Sequence, residues 1–567
     1  MLSDTKYSES VLLHDYQCLQ EAILSVSAPY EDLARVVFSS IVYQRYCWDV
    51  ILMIFNAIEI RDNNIQSYVK LIKRIFEDKG ENVSELKNRI MSLVISKNKP
   101  IVQHIRIRFL HRLFANGIFS VPEIIQVMNM IRPTDSPLKS RFKLIFAQVL
   151  SDNLDDLLNS MPKLYVNIIE SAISDNWVEF NQVLEYGCKF DSVQYALKYD
   201  DINMLQKFSA NIGFDFNTEI NNVLAPFYLD IDRPTYIQYS AFHGSKQCFK
   251  FLYLNNADMK KTIVGFKELQ DYAIAGGDLE IIRMLESFGV LDNVEIKIAC
   301  DFCHSSILEW VFSMKEIDSE TLNKTLISCC QRQWLAGIIS CIAQGANPNF
   351  MCSETESSPI HMCCSKGYLS LARYLMAIYN VDPNLSLKNG ATPLHECAVR
   401  NNIDMVHLLL EHKDIDINKV DIDGETPIFK ACLKTNNDMI RFFYKNGSNI
   451  NQKNNSGQSL LEYATEHGSL STIQTLIELG ASITPETLLI AVDKEKLDIV
   501  NYLISFNVID INCSDKEYGR TPLMFAVENQ NKEIVNILLL NNGIDYERMD
   551  YKINIFCLIK ESFIMQF

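Results

Sequence analysis

Apolar side chains recur at helical spacing along most of the chain. Ile403, Met405, Val406, Leu408, Leu409 and Leu410 fall on one side of a short helix, and a polar turn, Ile415–Asn418, follows. Near the N-terminus, Tyr68, Leu71, Ile72, Ile75 and Phe76 make an apolar face with Lys70, Lys73 and Arg74 opposite. Trp48–Ile60 (WDVILMIFNAIEI) is apolar almost all round, which predicts a buried central helix. Pro100, Pro122, Pro133 and Pro137, with breakers at Asn116–Gly117 and Arg132–Pro137, punctuate the helices that follow. The pattern predicts an all-α chain, without a repeat over 1–150 and with repeating helix pairs beyond.

The repeat has a fixed period. KTLISC starts at Lys324, SPIHMC at Ser358, TPLHEC at Thr392, TPIFKA at Thr426 and SLLEYA at Ser459, in steps of 34, 34, 34 and 33; TPLMFA returns at Thr521. After the helix pattern come turns: Gly345–Asn349, Val381–Asn384, Ile415–Asn418, Gly447–Asn451 and Ile509–Asn512. Thr392 can cap the first helix, and Pro393 suits the first helical position, where a missing N–H costs nothing. His395 can tie neighbouring turns together, and Gly345, Gly447 and Gly480 stand where the second helix must stop. This pattern resembles the ankyrin repeat. The expected fold is therefore a helical N-terminal domain followed by an ankyrin-repeat α-solenoid with short β-hairpin loops. The boundaries fall at 1–150 for the helical domain, 151–320 for degenerate repeats, 321–545 for regular ones and 546–567 for a C-terminal cap. About eleven units are expected in all.

Among the degenerate copies, Tyr239–Asp258 (YSAFHGSKQCFKFLYLNNAD) paired with Ala273–Glu286 (AIAGGDLEIIRMLE) resembles the characteristic segment of a large ankyrin-repeat family of parasitic flagellate protists. Glu59–Glu77 is similar to that family's helical N-terminal region. The resemblance implies an intracellular ankyrin protein without a known enzymatic activity, and it carries over no functional residues. The final stretch, MDYKINIFCLIKESFIMQF, departs from the next expected repeat.

Composition narrows the function classes. The chain of 567 residues is 48% apolar and 22% charged, ordinary globular values, with a net charge of −17. Residues 1–150 hold 19 Lys/Arg and 15 Asp/Glu, a net of +4, which leaves −21 for the remainder. An acidic balance argues against nucleic acid as a partner. Sixteen Cys in this length is no disulfide scaffold, the start lacks a secretory pattern, and Trp48–Ile60 is too short to span a bilayer. A cytoplasmic protein is expected, with nuclear entry left open. The one concentrated basic stretch, Lys97–Phe114, places His104, Arg108, His111 and Arg112 on one side. A solvated outer face over a core stripe is the favoured reading, ahead of docking on the acidic array or an anionic patch.

Chemistry-bearing patterns are few. Cys300–His304 matches the C-x-x-C-H spacing of haem attachment but lies inside a repeat. Cys329, Cys363 and Cys397 recur at steps of 34, so they form a column of small buried residues, spaced too widely to share an ion. Asp414, Asp416, Asp421 and Asp423 resemble a calcium loop only loosely. No cofactor, metal, small-molecule substrate or enzymatic activity is expected. The expected function is a protein-binding scaffold or adaptor whose partners carry basic surfaces. Its contact residues would be Lys388, Asn389, Asp421, Asp423, Asn454, Asn455, Asp515, Lys516, Glu517 and Tyr518 at the tips. On the inner helices they would be Arg400, Lys434, Glu466, His467 and Glu528. The alternative makes residues 1–150 an effector module, for example a ubiquitin-ligase recruiter suggested faintly by Ala28–Ile41, with the array as its targeting arm. A third, an enzyme within 1–150, has no motif behind it.

Overall fold

A computed structural model describes residues 9–545 apart from 25–29, 41–42, 44–46, 61–64, 80–82, 96–99, 132–134, 151–160, 187, 221–233, 261–267, 292–293, 315, 355, 507–508, 517 and 542. The cap expected over 546–567 lies outside the described residues, as does Glu517. The chain divides into two units, Met1–Pro348 and Asn349–Phe567.

The first unit begins with the helices Glu9–Leu24, Tyr30–Ser39, Cys47–Ile60, Ile65–Lys79, Val83–Ile95, Pro100–Ala115, Val121–Met130 and Ser136–Ile145. As its composition demands, Cys47–Ile60 is central: Val50 to Phe55 and Ile58 are buried, and Phe55 meets Phe109 edge-on at 5.3 Å. Ile65–Lys79 is amphipathic as read, with Leu71, Ile72 and Ile75 inside and Lys70, Lys73 and Arg74 exposed. Helix pairs follow, from Lys163–Ser174 with Val178–Tyr186 to Ser319–Gln331 with Leu335–Ala343. Successive first helices of this unit pack against one another from Val193–Lys198 to Ser319–Gln331.

The basic helix corrects the sequence reading. Its cations do not form a solvated face: Arg106, Arg108 and Arg112 are buried. The Arg108 guanidinium donates to the carbonyls of Leu184 at 2.7 Å and Val183 at 3.3 Å, in the last turn of Val178–Tyr186. A cation there satisfies carbonyls that the helix leaves open and complements its dipole. Arg106 donates to the Leu93 carbonyl at 2.6 Å. Burial, with Arg112 and Arg108 beside it, pushes the His111 pKa down to about 4. The N-terminal helices also reach a much later repeat. The Gln20 side chain bonds the Gln333 carbonyl and accepts from the Leu335 N–H at 2.7 Å, while the Asn56 amide meets the Arg332 carbonyl at 3.4 Å.

The second unit holds the pairs Pro359–Lys366 with Leu369–Tyr379, Pro393–Arg400 with Ile403–Leu410, Pro427–Leu433 with Asn437–Lys445, Leu460–His467 with Leu470–Glu478, Pro485–Asp493 with Leu497–Ser505, and Pro522–Glu528 with Lys532–Leu539. Five of its first helices open on proline after Ser or Thr. The buried faces Ile360, Leu394, Ile428, Leu460 and Leu523 stack between repeats whose first helices touch in sequence.

Two hydrogen-bonded devices hold neighbours in register. His361 Nε2 bonds the Ala391 carbonyl at 3.2 Å, and His395 Nε2 bonds that of Glu425 at 2.9 Å, one repeat further on. The expectation for the repeat histidine is met. The second device is an asparagine ladder: Asn384, Asn418, Asn451 and Asn512 accept from the N–H of Asp416, Asn449, Ser482 and Asp545 at 2.7–2.9 Å. Asn418 also donates to the Gly447 carbonyl at 3.2 Å. Asn418→Ala removes both bonds and costs about 1–2 kcal/mol. Amide exchange at Asn449 will accelerate; an unchanged rate there means that the rung contributes nothing.

Candidate protein-docking surface

The loops before the first helices are tight turns, not strands. Asp421 N–H bonds the Glu425 carbonyl at 2.9 Å and Gly424 N–H that of Asp421 at 3.0 Å; Leu387/Gly390/Ala391 and Asn454/Gly457/Gln458 repeat the pattern. The expected β-hairpins are reduced to isolated bridges in this unit, Cys352 with Ser357 and Lys453 with Ser459, among the described residues. Gly424 requires its lack of a side chain: its φ is +72, and a Cβ would lie 2.6 Å from the Asn455 nitrogen. The tips also bond each other. Ile422 N–H donates to the Asn389 carbonyl at 3.0 Å, and Asn455 N–H to that of Asp423 at 2.9 Å. Three successive tips thus form one continuous rigid row.

The row brings together Lys388, Asn389, Asp423 and Asn455, all exposed. Asn455 spends its amide on the Ile422 carbonyl at 2.8 Å. Two expected tip residues are not open to a partner. Asp421 is 8% exposed: its carboxylate accepts from the N–H of Asp423 and Glu425, and Lys430 Nζ lies 2.7 Å away. Lys430 also stands 2.5 Å from Glu425, making a buried cluster of two carboxylates and one ammonium. Burial raises the Asp421 pKa, but Lys430 and the backbone donors outweigh it and hold the carboxyl below its ordinary value. Asn454 is 9% exposed because its side chain accepts from the N–H of Ser456 and Gln458 and builds its own turn.

In the last tip, Asp515 is half-buried, bonded to Arg520 Nε at 2.9 Å and to the Tyr518 N–H at 2.7 Å. Arg520 lies over the rings of Tyr518 and Phe525, at 4.9 and 4.3 Å from their centres, and Glu528 sits 3.4 Å from its Nη1. Tyr518 is 46% exposed, and Lys516 extends into solvent with Glu486 at 2.7 Å. Glu466 turns towards its tip through Gln458 at 2.9 Å. Arg400, Lys434 and His467 instead stand at the far ends of their helices, roughly 10 Å from the tips by helix length. The fourteen described among the fifteen expected residues therefore form no single patch.

Sequence reasoning missed Val420 and Ile422, the latter 63% exposed in the tip row. They flank buried Asp421, and the strict alternation across a tight turn is the signal that could have found them. Lys366 and Lys494 were missed as well, although they share the helix-end position of Arg400 and Lys434.

The remaining chemical leads resolve into packing. Cys300 is buried against Cys329, and His304 bonds the Ala275 carbonyl at 2.8 Å. Cys329, Cys363 and Cys397 are all fully buried with free thiols, and burial pushes the Cys329 and Cys397 thiols up. Among the described residues no group of three ligand-type side chains could hold a metal ion. Asp421 of the calcium-loop lookalike is already committed to Lys430. No helix among the described residues is long and apolar enough to cross a membrane.

The second unit is a helical-repeat stack that exposes its tips and helix ends. Residues 326–421 and 485–550 match the family described as ankyrin repeats (3 copies), and residues 409–464 match ankyrin repeats (many copies). The chain therefore carries ankyrin repeats across those residues. Proteins built on such repeats generally serve in protein–protein interaction. No curated protein matches the chain.

Proposed function

We propose that the chain is a non-enzymatic, cytoplasmic scaffold or adaptor that binds partner proteins through the second unit. The tip row carries this reading. Its backbone is locked by tip-to-tip hydrogen bonds, while Lys388, Ile422 and Asp423 project from it. A preorganised surface loses little entropy on binding, and each of its side chains can vary without disturbing the core. Exposed Asp404, Glu411, Asp414 and Asp438 on and after the second helices add an acidic field that steers partners with basic surfaces, in a salt-dependent way. The likeness of Tyr239–Asp258 and Ala273–Glu286 to the protist family's segment supports the same kinship and intracellular setting. Support for the scaffold over a separable N-terminal effector comes from Arg108 and Gln20, which knit residues 1–150 into the repeats of their own unit.

Proximity labelling in native cells tests this with the full chain and with a Lys388→Glu, Asp423→Lys, Tyr518→Ala variant. Asp421 is left intact because its reversal would break the tip. Specific partners will lose labelling by about tenfold or more in the variant, at an unchanged melting temperature. An identical partner set from a folded variant would rule out the tip row.

A further inference from the structure

We infer that the ends of the first helices in the second unit form a single-file cationic track that receives an extended acidic segment of a partner protein. The inference rests on the scaffold reading and names the chemistry of one partner. Lys366, Arg400, Lys434 and Lys494 each immediately precede a residue in left-handed conformation that ends the helix: Gly367, Asn401, Thr435 and Glu495, with φ of 78, 57, 54 and 55. His467 ends its helix before Gly468, whose backbone is extended instead of left-handed. All five are exposed, and their helices pack side by side in chain order, with that of His467 between those of Lys434 and Lys494.

Helix dipoles favour cations at such ends, so the arrangement needs a control. After the second helices the left-handed residues Asn380, Gly447 and Gly480 are preceded by Tyr379, Asn446 and Leu479, with no cation among them. The dipole acts equally on both sets, so it does not explain a track confined to one.

The track is open where it matters. Lys434, at its centre, makes no side-chain hydrogen bond or ion pair among the described residues, and Leu433 beside it is 40% exposed. Among the described residues Arg400 pairs with Glu396 one turn back, at 2.9 Å, and Lys494 with Glu466 and Asp493 at 3.4 Å. Such exposed pairs contribute roughly 0–1 kcal/mol, so an incoming carboxylate displaces them at small cost. Packed helices lie about 8–10 Å apart. An extended chain advances about 10 Å in three residues, so acidic side chains at every third position meet successive stations. The neighbouring charges select the occupant. Asp404, Asp438 and Asp498 are exposed at the start of the second helices that follow, and Glu396 and Glu466 pair with Arg400 and Lys494 of the track itself. A nucleic acid or an anionic membrane would press its phosphates against these carboxylates, whereas one extended peptide brings only a single file of charge.

The test uses the full chain and a labelled peptide of about twelve residues repeating Glu-Thr-Val, whose β-branched residues resist helix formation. Its Gln-Thr-Val counterpart and an oligothymidylate of similar length complete the set, read by fluorescence anisotropy at about 50 and about 300 mM salt. The Glu peptide will bind about tenfold or more tighter than the Gln peptide, weaken with salt, and lose about tenfold or more in the Arg400→Glu, Lys434→Glu variant. Lys434→Gln, the milder variant, will lose severalfold and keeps the test usable if the double reversal misfolds. Equal affinity for the two peptides, binding that survives in a folded reversed variant, or tighter capture of the oligothymidylate overturns the track. If the peptides fail while cellular partners still depend on Lys388, Asp423 and Tyr518, the scaffold reading stands without the track. If the peptides bind but partners ignore the tips, the track stands and the tip reading falls.

Discussion

Replacing Lys430 by methionine will destabilise the second unit by about 3–5 kcal/mol, the cost of leaving a buried charge without its partner. Lys430 Nζ serves Asp421 at 2.7 Å and Glu425 at 2.5 Å, and both carboxylates are nearly sealed from water. The sign of the pH dependence separates this cause from lost packing. In the natural chain the Asp421 carboxyl is held below its ordinary value of 3.8, so its contribution is complete above that pH and disappears as pH falls through the folded value. Without the ammonium, burial is the largest influence left on the Asp421 carboxyl and pushes its pKa up. The unfolded chain then holds fewer protons than the folded one, and stability falls as pH rises from about 4 towards 7. Lys430→Met should therefore be least damaging in mild acid. The four tryptophans, Trp48, Trp177, Trp310 and Trp334, all lie in the first unit, which provides a clean readout. Urea unfolding followed by circular dichroism will show an early transition that tryptophan fluorescence does not share. Coincident transitions, or a penalty independent of pH, would contradict the account.

That cluster also shows where sequence reading stopped. The repeats, their proline starts, the histidine ties and the buried helix Cys47–Ile60 follow from spacing and composition, because each depends on residues within one period or one helix. Asp421 reads as a tip acid because nothing local announces that Lys430, nine positions later and inside the next helix, folds back over it. Asn454 reads as an exposed tip residue because a side chain that bonds its own turn has the same composition signature as one that faces a partner. Arg108 is misread for a different reason. Its acceptors are the carbonyls of Val183 and Leu184, backbone groups more than seventy positions away, and backbone groups leave no trace in residue identity. Gln20 and Gln333, 313 residues apart, are further still from any periodic signal. The fold was legible wherever contacts repeat. The surface was not, because exposure is decided by partners outside the repeat unit.

Acidification supplies the second large effect, through the histidine ties. The neighbouring donors and acceptors assign both rings. Nδ1 of His361 accepts from the Ser358 hydroxyl at 2.7 Å, and Nδ1 of His395 from the Thr392 N–H at 3.1 Å, so the Nε2–H of each donates to the next repeat. A proton added at Nδ1 of His395 would oppose the Thr392 N–H. Burial lowers both pKa values, that of His361 from 6.5 to about 4. Below pH 6.5 the unfolded chain takes up a proton that the folded chain refuses, so stability is complete above that value and declines down to about 4. For His361 alone the loss is about 3 kcal/mol. The Asp421 carboxyl leaves this window clear, since its own titration lies lower. His111 imposes a similar slope on the first unit, so both circular dichroism and tryptophan fluorescence will register acid weakening in the natural chain. His361→Asn removes one titration from the second unit only. It should reduce the pH dependence seen by circular dichroism between 6.5 and about 4 to the share left by His395 and His111, while the tryptophan-detected slope stays unchanged. If the circular-dichroism slope is not reduced, the ring at 361 is not the group that refuses the proton. The Ala391 carbonyl bond then holds the repeats together without making them acid-sensitive.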